Sequence, residues 1–151
     1  MRIVAVVLVG GCWTSAPIAS APPLPRAAPK PQAERWVGTG HQYDDDSHWF
    51  IELVIDPTAQ IGARLGTVRY PSLGCRGVLT RVSDRQGELV AVEHIVDDPD
   101  QHCIDNGQIS IPRERGMSFR WRWRYPETGE EGADAQLDRV IRESPHGHQR
   151  R

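Results

Sequence analysis

Residues 117–125 alternate without a break, with Met117, Phe119, Trp121, Trp123 and Tyr125 at odd positions and Ser118, Arg120, Arg122 and Arg124 at even ones. Successive side chains of a β-strand point to opposite faces, so this run is a strand with an aromatic face and an arginine face. A register slip of one residue would bury three arginines, which no core tolerates, and the aromatic face is therefore the inner one. The remainder of the chain has to supply partners for that strand.

Those partners are readable as short segments separated by turns. Residues 35–43 and 48–56, joined by Asp44-Asp45-Asp46-Ser47, predict a hairpin in which Trp49, Ile51, Leu53 and Ile55 share the buried face of the second strand. Gly66-Thr67-Val68-Arg69-Tyr70-Pro71-Ser72-Leu73-Gly74-Cys75-Arg76-Gly77-Val78-Leu79 reads as strand, corner and strand, because Pro71 and Gly74 interrupt residues that otherwise favour extension. Residues 78–82 and 88–96 follow, with a turn expected at Ser83-Asp84-Arg85-Gln86-Gly87, then residues 107–112. Residues 133–141 fit either a final strand or a short terminal helix. About eight short strands and no βαβ pattern predict a mainly β fold. Short hairpin-like connections favour a single antiparallel small barrel of up-and-down topology, with a β-sandwich as the alternative. An apolar fraction of 38% and a charged fraction of 25% suit one soluble core.

The first residues have a different character. Arg2 followed by the apolar run 3–9 is far shorter than the ~20 residues a spanning helix needs, so it reads as a targeting signal. Leu8-Val9-Gly10-Gly11-Cys12 resembles a bacterial lipobox, which implies a signal peptide at 1–11, acylation of Cys12 and a lipid-anchored protein of the cell envelope, at the outer membrane in a host with two membranes. An ordinary secretory signal cut near residues 16–21 is the alternative. Six of the twelve prolines (Pro17, Pro22, Pro23, Pro25, Pro29 and Pro31) then fall among alanine and serine, so 12–33 reads as an extended tether ahead of a barrel domain at 34–141 and a polar tail at 142–151.

With Cys12 given to the lipid, Cys75 and Cys103 remain as a pair beside two turns, and a disulfide between them is expected in an exported protein. A metal site using His94, His102 and the two thiols lacks a C-x-x-C or H-x-x-x-H element and is the lesser reading.

Trp36-x-Gly38, Tyr70-Pro71-Ser72-Leu73-Gly74-Cys75-x-Gly77, residues 93–103 with Gly107, and the aromatic strand ending Tyr125-Pro126 together resemble an uncharacterised bacterial β domain found in lipoproteins and appended to signalling proteins. That resemblance implies architecture and no activity. A second similarity is to calycin-type barrels such as lipocalins, in which a late arginine stacks on an early tryptophan. Trp36 and Arg139 are the candidates, and a plain core plug is the simpler role for Trp36.

No phosphate-binding loop, metalloprotease motif, nucleophile elbow or Cys-His pair occurs, so neither an enzyme nor a cofactor is expected. A net charge of -2 provides no general attraction for nucleic acid. The acidic turns Asp44-Asp45-Asp46 and Asp97-Asp98-Pro99-Asp100 depart from EF-hand spacing and read as solvated rather than calcium-binding. Arg120, Arg122 and Arg124 form a possible binding face for an acidic protein or anionic polymer, the preferred reading being a sheet face paired with carboxylates across the strand. The functional expectation is a monomeric, non-catalytic binding or interaction module with the arginine face or the barrel mouth as its contact surface. The alternatives are an inhibitor of a lytic enzyme, similar to the small β-barrel lysozyme inhibitors, and a lipocalin-like binder of a small ligand.

Overall fold

A computed structural model describes residues 32–141. The expectations about Cys12, the signal segment 1–11 and the tail 142–151 lie outside the described residues, as does nearly all of the tether 12–33.

Eight strands follow one another: β1 (Glu34–Gln42), β2 (His48–Ile55), β3 (Arg64–Tyr70), β4 (Cys75–Arg85), β5 (Glu88–Asp97), β6 (Gln108–Pro112), β7 (Ser118–Arg124) and β8 (Glu131–Arg139). Each pairs antiparallel with the next, and β8 pairs back onto β1 from Trp36↔Arg139 to Gln42↔Ala133. The result is a closed up-and-down barrel without a free sheet edge. Closure also decides the segment left open between strand and helix. Residues 131–139 satisfy the outer backbone groups of both β1 and β7, and Ala133, Ala135 and Leu137 alternate inward.

The aromatic face of β7 is buried, with Phe119, Trp121 and Trp123 all inside, and Trp49, Ile51, Leu53 and Ile55 of β2 face them across the core. One turn is tighter than the sequence suggested. Ser83, Asp84 and Arg85 belong to β4, and only Gln86 and Gly87, at φ 49 and 83, form the connection to β5. Two consecutive residues with positive φ match the twist of the flanking strands. The polar run looked like a loop because Val82 is an extra residue in a bulge between Arg81↔Ala91 and Ser83↔Val90, which breaks the inside-outside alternation that marks a strand.

The barrel has two unlike ends. At one, the start of β1, the end of β8 and the loops 56–63, 86–87 and 113–117 meet. Trp36 fills that end with 0% exposure, its ring 4.7 Å from Phe119 in an edge-to-face contact. The Arg139 guanidinium lies 5.6 Å from the centre of the Trp36 ring, so this tryptophan is both plug and stacking partner. Glu34 closes the end with charge, pairing with Arg115 at 3.0 Å and Arg139 at 3.6 Å. Arg81, also buried, pairs with Asp84 at 2.7 Å and donates to the carbonyl of Ala59. At the opposite end the loops 43–47, 71–74, 98–107 and 125–130 stand around an opening.

Candidate functional site

The opening leads into a cavity of about 530 Å³. Its walls are aromatic because the inner faces of three strands end there in large rings: Trp49 at the start of β2, Tyr70 at the end of β3, and Trp121 and Trp123 near the end of β7, with Tyr125 just beyond. The rings brace one another edge to face, Trp49 against Tyr70 at 5.2 Å and against Trp121 at 5.7 Å, and Trp123 against Tyr125 at 4.9 Å. Two glycines allow the rings this close to the sheet. A Cβ on Gly40 would fall 2.2 Å from the ring of Trp49, and one on Gly107 only 1.9 Å from the indole nitrogen of Trp123.

One carboxyl sits among these rings. Glu93 of β5 is 1% exposed, and Tyr70 donates its hydroxyl proton to Glu93 Oε1 at 2.8 Å. Burial raises the Glu93 pKa to about 7, while the hydrogen bonds from Tyr70 and Trp123 pull it down and the charge of Asp105 pushes it up. Burial, and then the neighbouring Glu93, hold the Tyr70 hydroxyl well above the usual range, so it stays a donor. Glu93 has no cationic partner among the described residues. Trp121, which also lines the cavity, has a buried indole N–H with no acceptor among them.

The rim is polar on one side and tied down on the other. Asp44, Asp45, Ser47 and Gln42 come from β1 and its turn. There Tyr125 donates to Asp44 and accepts from Gln42 Nε2 at 3.0 Å, and the bond to Asp44 is the main reason its hydroxyl pKa is raised. Facing them are Leu73 of the corner, Ile95 near the end of β5, and His102, Cys103 and Ile104 of the long loop between β5 and β6.

The pair expected from cysteine arithmetic is present here. Cys75 and Cys103 are disulfide-bonded with Cα atoms 6.5 Å apart, fastening the loop 98–107 to the start of β4. Asp98 shapes the same loop by accepting from the backbone N–H groups of His102 at 3.0 Å and Cys103 at 2.9 Å. Such a bond belongs to an oxidising compartment, as in exported proteins. The set of metal-type donors that lies close together among the described residues is Cys75, Asp98 and Cys103, and its two sulfurs are bonded to each other. His94 is exposed on β5 and outside that set. The Tyr-Pro-Ser-Leu-Gly-Cys run divides its work among four side chains. Tyr70 reaches Glu93, Ser72 Oγ accepts from the backbone N–H of Phe50 at 3.0 Å, Leu73 lines the mouth and Cys75 holds the loop.

The arginine row lies outside the barrel, away from the cavity. Arg120 pairs with Asp134 at 2.7 Å and Glu131 at 3.8 Å, Arg124 with Glu131 at 3.3 Å, and Arg122 with Glu88. Sequence reasoning did not single out Glu93. Its phase offered a clue, since Leu89, Ala91, Glu93 and Ile95 share one face, yet Val90, Val92 and Val96 make the other face equally apolar. Comparison with family models, curated proteins and solved structures returns no match to this chain.

Proposed function

We propose that this chain is a non-catalytic, lipid-anchored binding module of the cell envelope whose open barrel end takes up a small ligand. The observation that carries the reading is the cavity of about 530 Å³, within the range of small-molecule sites, with aromatic walls and one buried polar pair at Glu93 and Tyr70. The other end of the same barrel is filled by Trp36, so the space at the mouth is not a general looseness of packing. A carboxyl that titrates near neutrality suits acid-base chemistry as well as binding, but the side-chain hydrogen-bond partners of Glu93 are Tyr70 and Trp123, neither of them a nucleophile or a base at neutral pH. The disulfide and the lipobox-like segment ending at Cys12 support export and anchoring.

Two measurements test the two halves of the proposal. Fluorescence of the cavity tryptophans, followed while the purified protein is titrated with the small-molecule fraction of an envelope extract, should shift saturably, and dialysis to remove the extract should reverse it. Lack of any saturable shift removes the binding role. For the anchor, labelled palmitate should enter the full chain and be absent from Cys12→Ser, with the variant leaving the membrane fraction.

A further inference from the structure

We infer that the cavity is selective for small organic cations, with Glu93 as the counter-charge and the tryptophan and tyrosine faces as the walls that hold the cation. This rests on the reading of the barrel mouth as a ligand site and specifies its chemistry. The carboxyl side chains that line the cavity are Asp44, Asp45 and Glu93, and no lysine or arginine joins them. A carboxylate 1% exposed and without a cationic partner is costly to ionise in place, and a bound cation supplies the missing charge. Around it stand five aromatic rings, whose negative faces attract a cation most strongly where water is excluded. An anion would meet three carboxyl groups, and a neutral guest would leave the carboxylate uncompensated.

Size and donor type separate an organic cation from a metal ion. The volume of about 530 Å³ far exceeds a single ion, and the cluster of metal-type donors found among the described residues involves neither Glu93 nor the aspartates of the rim. A quaternary or protonated amine on an apolar body fits both the charge and the apolar surface.

The test uses the full chain at pH 8, above the value of about 7 at which Glu93 loses its proton. Three probes are titrated by calorimetry: trimethylphenylammonium, its neutral isostere tert-butylbenzene, and the anion 4-tert-butylbenzoate, which adds a carboxylate to the neutral body. The cation should bind at least tenfold more tightly than the neutral probe, and the anion should not bind. Glu93→Gln should remove most of the cation's advantage over the neutral probe. Asp45→Asn, on the exposed rim, should weaken the cation alone by a smaller factor, which keeps the inference testable should Glu93→Gln fail to fold. Equal binding of cation and neutral probe by the unaltered protein overturns the charge selectivity and leaves the small-ligand site standing. Binding of neither probe overturns the inference and counts against the site itself.

Discussion

The two ends of this barrel are built from the same eight strands, yet one is full and the other is open. At the full end the inward positions carry Trp36, Leu65, Leu89, Ile111 and Leu137, all at most 1% exposed, and Glu34 with its arginines seals the charge outside them. At the open end aromatic rings braced edge to face line a cavity instead of filling it, and the one inward charge, Glu93, lacks a counter-ion among the described residues. The contrast is one of packing: one end is a close-packed core, while the other keeps the space to which the proposed binding role is given.

The sharpest way to break that comparison is truncation at each end. Trp36→Ala should destabilise the protein by about 3–5 kcal/mol in chemical denaturation, as expected for a large buried aromatic, while Trp123→Ala should cost roughly half as much because its ring already borders open space. Equal losses would mean that the ends do not differ in packing. The next effect is a pH dependence that belongs to the open end alone. Folded Glu93 keeps its proton up to about 7, against an ordinary value of 4.5. Its contribution to stability is therefore complete below pH 4.5, declines as pH rises towards 7 and is gone above that. The loss amounts to about 3 kcal/mol, and melting temperatures from pH 4.5 to 8 should show it in the native protein but not in Glu93→Gln.

A smaller change is expected from Tyr70→Phe. Losing this hydrogen bond should cost about 1 kcal/mol, and because the hydroxyl stabilises the ionised carboxyl, the titration midpoint of Glu93 should move upward, as carboxyl-edited NMR would report. The smallest effect should come from the outer face. Arg120→Gln should leave the melting temperature unchanged, since exposed ion pairs contribute little, and a clear drop would show that the arginine row does more than cover the sheet.

Much of this architecture was legible in the residues, and the exceptions have physical causes. The alternation fixed the inner face of Phe119, Trp121 and Trp123, while Met117, expected on that face, lies exposed just before β7, and two late cysteines beside turns foretold their bond. Residues 133–141 remained undecided because a strand of alanine, aspartate and glutamine is specified by the partners on either side rather than by its own propensity. The polar end of β4 was hidden by the bulge at Val82. The site was harder still. Tyr70 stood in a motif read for its corner, and its partner Glu93 is 23 positions away, on a strand with two apolar faces. Only closure of the sheet brings that pair together with the tryptophans of β2 and β7.

Closure of β8 onto β1 also sets an orientation. Glu34 and Arg139 are neighbours at the plugged end, where Val140 N–H donates to the carbonyl of Arg35 at 2.9 Å. Any attachment through either terminus therefore pulls on that pole, like a stem joined to the base of a cup. In the proposed anchored form the opening would lie on the far side of the barrel from the attachment, so a ligand would reach it without passing the surface that holds the stem.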